Sequence, residues 1–140
     1  MGDGTELIDD DELLYRRILV SSGYYSPDTE TISSQAFAPS KEDASGLSVS
    51  RAKYKSAKDA AHGRNGKPAH VAVLRASVLR ALGIQVVPKP LPDDPGHAEM
   101  PDLNVSNRKE NLTIEREILL SNSCLGVEGP FVFSDEQTAK

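Results

Sequence analysis

The stretch HVAVLRASVLRALGIQVVPKPL, His70 to Leu91, constrains the fold more than any other part of this chain. Its first part alternates. Val71, Val73 and Arg75 fall on one side of an extended backbone, and Ala72, Leu74 and Ala76 on the other. Ser77 to Gly83 carries the marks of a short helix, with Ser77 as its N-cap and Gly83 past its end. IQVVPKPL then reads as a strand running out into Pro88 and Pro90, which lack backbone donors and suit only the margin of a sheet. Strand, short helix, strand leaves too little chain for a parallel crossover, which takes roughly a dozen residues or more. The expected class is therefore α+β: a single domain with a mixed or mostly antiparallel sheet and two to three helices.

The remaining elements fit around that unit. LLYRRILV, Leu13 to Val20, is long enough for a strand and short for a helix. ISSQAF reads as extended, with Ile32, Ser34 and Ala36 on one side, and LSVS alternates over Leu47 to Ser50. RAKYKSAKDAAHG is rich in alanine and lysine and ends on Gly63, which predicts a helix capped by Ser48 or Ser50. HAEMPDL is a short strand that Pro101 stops or places at an edge. RKENLTIEREILLSNS, Arg108 to Ser123, matches a helix capped by Asn107 or an alternating strand, and its length favours the helix. GPFVF closes the fold as a strand. The body is expected over residues 11–134, between a disordered acidic stretch at 1–10 and a flexible end at 135–140.

Composition narrows the function classes. The 140 residues carry a net charge of −5, which gives no long-range attraction to nucleic acid, and aromatics are only 5%, too few for a base-stacking platform. The basic stretch Arg51 to Lys67 reads as a solvated helix face and loop. Cys124 is the single cysteine, so there is no internal disulfide and no cysteine-rich zinc site, and it reads as a small buried hydrophobe. The N-terminus lacks the basic and apolar regions of a signal peptide, and no apolar run is long enough to span a membrane. The expected compartment is the cytoplasm.

Three polar groups interrupt apolar segments and are the candidate site. In DDPGHAEM, Asp93 to Met100, His97 and Glu99 project to one face of a strand, as a base with an orienting carboxylate or as a pin for the turn. A metal would need a further ligand, and none is assigned. Arg16 and Arg17 sit inside an apolar run, so at least one guanidinium must find a partner, expected to be a carboxylate such as Glu99 or Glu117, or clamp an anion. Ser33 and Ser34 stand at the head of an extended segment, where hydroxyls serve neighbouring backbone groups. No Gly-x-Ser-x-Gly elbow, phosphate-binding loop or dinucleotide fingerprint occurs.

The order LLYRRI, ISSQAF, GLSV, PGHAEM, from Glu12 to Met100, resembles that of small bacterial proteins of uncharacterised function. A fainter resemblance is to the ADP-ribosyltransferase-like fold, including its RES-type NAD-degrading members. That family places an arginine on the first strand, a serine on a later strand and a glutamate further on, matched in kind and order by Arg16 or Arg17, Ser33 or Ser34, and Glu99. Two functions are thus expected. The first is a small binding or interaction protein whose partner is another protein. The second is an enzyme with a pocket of Arg16 or Arg17, Ser33 or Ser34, His97 and Glu99, which the resemblance implies would use NAD.

Overall fold

A computed structural model describes residues 4–40, 43–63 and 65–133. Its centre is a six-stranded antiparallel sheet built from β1 (Leu13–Leu19), β4 (Leu47–Arg51), β5 (Ala69–Arg75), β6 (Val87–Pro88), β7 (His97–Met100) and β8 (Gly126–Phe131), in the order β6-β7-β4-β1-β5-β8. A separate hairpin pairs β2 (Tyr25–Ser26) with β3 (Thr31–Ile32). Among the described residues four α-helices complete the domain: α1 (Ala57–His62), α2 (Ala76–Ala81), α3 (Val105–Lys109) and α4 (Ile114–Ser121). The α+β class and the antiparallel pairing are those expected, with one helix more.

The sheet buries both faces unequally. On one face Leu14, Ile18, Leu47, Val49, Leu74 and Met100 pack with Leu79 of α2, Leu120 of α4 and Phe37 into the main core. Burying each such side chain stabilises by about 1.5–3 kcal/mol. On the other face, Ala57, Ala60 and Ala61 of α1 lie on Ala69 and Val71. Small alanines let α1 approach closely but bury little area, so this second core is thin. β5, apolar at every position from Ala69 to Leu74 except His70, sits between β1 and β8 and is buried along its length up to Arg75.

Several elements depart from the sequence pattern. Ser34–Phe37, expected as extended, is a short 3₁₀ turn, because the Ser33 hydroxyl accepts from the Gln35 N–H and caps it. The alanine-rich helix begins at Ala57 under Ser56, not under Ser48 or Ser50: β4 continues to Arg51 and a turn follows it. α2 begins one residue before Ser77, at Ala76, with no side-chain cap. Arg108–Ser123 is not one element. α3 is capped by Asn104 rather than Asn107, and Asn111, at φ 64°, turns the chain before α4. β7 is interior, and Pro101 ends it rather than marking an edge; β8 begins earlier than GPFVF, at Gly126. Residues 4–10, expected to be disordered, lie on the body with Ile8 in the main core. Residues 135–140 fall outside the described residues.

Candidate functional site

β1 is the strand that positions both arginines. Its alternation turns Arg16 to the main-core face, between Leu14 and Ile18, and Arg17 to the face of α1. Arg16 donates from Nε to the Ala36 carbonyl at 3.0 Å and from one Nη to the Ser48 carbonyl at 3.0 Å. Arg17 donates to the Ala61 carbonyl, the Asn65 side chain and the Lys67 carbonyl. Gly63 makes room for it: a Cβ there would stand 2.9 Å from the guanidinium carbon. The carboxylates expected as partners are engaged elsewhere. Glu117 accepts from Thr113 Oγ1 at 2.6 Å and pairs with Arg108 at 2.8 Å; Glu99 accepts from Ser45 Oγ at 2.8 Å. Neutral carbonyls do not offset a desolvated cation as a carboxylate does, so burial holds the Arg16 pKa below its ordinary value, opposed only by the more distant charge of Asp43.

His97 and Glu99 do share a face, that of Ser48 and Ser50 on the neighbouring β4. His97 Nδ1 lies 2.9 Å from the Lys89 carbonyl and Nε2 lies 3.2 Å from Ser48 Oγ. A carbonyl only accepts, so Nδ1 carries the proton in the neutral ring and Nε2 accepts from the Ser48 hydroxyl. Glu99 stands 3.9 Å from the same Nε2. Ser45, Ser48, His97 and Glu99 thus form a polar ladder tying β7, β4 and the chain leading into each.

Ser33 serves as a cap, and neither it nor Ser34 meets this ladder. A cavity of about 390 Å³ opens beside the end of β1. Arg16 and Arg17 line it; Ser33, Ser34, His97 and Glu99 do not. Its walls are Ile18, Tyr24, Ala38 and Pro39, with Gln35 and Arg108 as further polar groups. The six residues singled out in the sequence therefore fall into three places: the arginines at the cavity, the serines at a turn, and the His–Glu pair on a sheet face. Among the described residues, no group of three histidine, cysteine, aspartate or glutamate side chains converges as metal ligands, and no helix is long and apolar enough to cross a membrane.

Two groups were not found from the sequence. Arg108 enters the cavity from α3, with nothing in its local pattern to announce it. Arg51 is the other: expected on a solvated basic face, it ends β4 and is 0% exposed. Its guanidinium donates to both oxygens of Glu12 and to the carbonyls of Gly4, Glu6 and Leu7, and stacks over Tyr54 at 5.3 Å. The Tyr54 hydroxyl donates to Glu6 and accepts from the Gly4 N–H. Gly4 fits only as glycine, since a Cβ would lie 2.1 Å from the Pro95 carbonyl. Parity was the available signal: Leu47 and Val49 face inward, so Arg51 two residues on must do the same. Cys124 is half-buried, which pushes its thiol up to about 12, far from thiolate chemistry at neutral pH. No family model, curated protein or solved structure matches the chain.

Proposed function

We propose that this chain is a binding component that engages another protein through the segment from Leu112 to Leu125, which holds α4 and leads into β8. One observation carries the reading. Among the described residues, four of the seven exposed large apolar side chains lie in the span Leu112, Ile114, Ile118 and Leu125, with Leu112 56% and Ile118 46% exposed. Ile114 and Ile118 are one turn apart on the outer face of α4, where a helix that meets only water carries polar residues. β8, which follows directly, pairs among the described residues with β5 alone. Scattered apolar residues need no explanation, but a run of them along one short segment is what an interaction surface looks like. The cytoplasm, where a lone half-buried thiol stays reduced, suits such a component.

The enzyme reading, with NAD as co-substrate, needs an arginine, a serine hydroxyl and Glu99 around one pocket. These groups stand apart, so binding is the better-supported function. Free nicotinamide released from NAD by the protein, and lost in Glu99→Gln, would reverse that preference.

The test of the binding reading is site-specific photo-crosslinking in the native host. A photoreactive side chain at Ile118 is expected to give a discrete adduct with a second protein, and one at Lys58, exposed on α1, none. Ile114→Ser with Ile118→Ser should remove copurification of that protein at an unchanged melting temperature. Adducts only between copies of this chain, or the same adducts from both positions, would overturn the reading.

A further inference from the structure

We infer that the cavity beside the end of β1 is a binding site for a small organic acid, a carboxylate with a short hydrocarbon or aromatic body. It does not depend on the binding reading. Arg16 occupies a main-core position of an inner strand, where an apolar side chain would pack without penalty. Its Nε and one Nη are fixed on the carbonyls of Ala36 and Ser48, and its other terminal nitrogen has no hydrogen bond among the described residues. The guanidinium is thereby oriented and keeps a donor in reserve. Arg17 also lines the cavity, but its guanidinium is engaged by Ala61, Asn65 and Lys67. Arg108 brings a further cation, anchored through Nε to Glu117, with its side chain 36% exposed. No carboxylate lines the cavity among the described residues, so the three arginines border a space without a carboxylate of its own. Asp43, the acid whose charge reaches Arg16, makes its own bonds to the Ser40 N–H at 2.8 Å and hydroxyl at 3.3 Å.

The rest of the cavity selects the body of the ligand. Ile18, Tyr24, Ala38 and Pro39 offer mostly carbon surface, and Gln35 supplies an amide at the rim. Apolar and polar residues share the lining about equally, which suits a ligand with one charged end and a hydrocarbon body. About 390 Å³ is small for such sites and suits a body of six or seven heavy atoms beside the carboxylate. A guanidinium fork matches two carboxylate oxygens in its own plane. Phosphate would leave the apolar part of the wall uncovered.

The experiment is a titration of the full chain, followed by amide chemical shifts, with benzoate and hexanoate as probes. Inorganic phosphate and benzyl alcohol are the controls. Benzoate or hexanoate is expected to give saturable shifts concentrated at Ser22, Tyr24, Gln35 and Ala38, tighter than benzyl alcohol by at least about tenfold, the value of one charge-assisted contact. Arg108→Gln should weaken the carboxylate by a similar factor and leave benzyl alcohol unchanged. Since that variant also unpairs buried Glu117, Ala38→Leu provides an independent reading: it fills the cavity, keeps every charge, and should abolish the shifts. Saturable phosphate shifts without carboxylate shifts would overturn the ligand class. Equal affinity for alcohol and acid, shifts spread over the surface, or no saturation up to about 10 mM would overturn the site.

Discussion

Arg16 and Arg51 reach the same side of the sheet from adjacent strands, and their surroundings have little else in common. Arg51 is closed in by a bidentate carboxylate, three carbonyls and an aromatic ring, and Glu12 raises its pKa. Arg16 has two carbonyls, and burial lowers its pKa. The first is a finished structural joint that staples residues 4–12 to the body. The second is a cation whose surroundings were left incomplete on its open side. The contrast teaches that a buried charge is informative through its partners: full matching points to architecture, and partial matching beside a cavity points to a ligand.

The comparison can be broken most directly at Glu12. Glu12→Ala leaves Arg51 buried with no matching carboxylate at its Nε, and should destabilise by about 3–5 kcal/mol in urea unfolding. A loss under about 1 kcal/mol would mean the joint does not hold the structure. Arg16→Met should destabilise less, by about 1–2 kcal/mol. It unpairs two carbonyls but orphans no carboxylate, and it removes a desolvated charge. A loss equal to that of Glu12→Ala would place Arg16 in the same class as Arg51.

A third polar group on this face, His70, sharpens the comparison without an arginine. It is buried on β5 opposite Ile18, and its Nδ1 has no hydrogen-bond partner among the described residues. Burial lowers its pKa below 6.5, so folding favours the neutral ring. Its contribution is complete above the unfolded pKa and declines as pH falls below 6.5 toward the folded value. The urea midpoint should therefore drop from about pH 7 to about pH 5, and His70→Leu should flatten that drop. The smallest expected effect is at Glu6. The Tyr54 hydroxyl holds its carboxyl down at about 2, against an ordinary 4.5. The stabilisation it adds is present above 4.5 and fades as pH falls toward 2, a window in which side-chain shifts of Tyr54 should move in the native chain and stay still in Glu6→Gln.

How far the sequence revealed this molecule depended on the range of the interaction. β1, β4 and β5 were legible because apolar alternation is local; the antiparallel class held, but not through the short link, since β5 and β6 run in the same direction with β1, β4 and β7 between them. Pro88 was legible as an edge residue because its missing donor is local too. The 3₁₀ turn at Ser34–Phe37 was missed because four residues fit either period and the Ser33 cap decides between them. The partner of Arg51 was illegible since Glu12 lies 39 positions away and a charge pair leaves no periodic trace. His97 and Glu99 were found together, but their companions Ser48 and Ser45 come from another strand and the loop before it. The cavity was half visible: Arg16 stood out against its apolar neighbours, and Arg108, in a polar stretch, did not.

The place of β1 in the sheet has a consequence for how the chain is made. It is made before the other strands of the sheet, yet its neighbours β4 and β5 lie far downstream, and its full register waits until Arg75 has been synthesised. No hairpin can nucleate it early. Folding should therefore fall in the millisecond-to-second range typical of non-local strand pairing, and a nascent chain halted before β5 should carry LLYRRIL as an unpaired, aggregation-prone thread that needs shelter until its mate arrives.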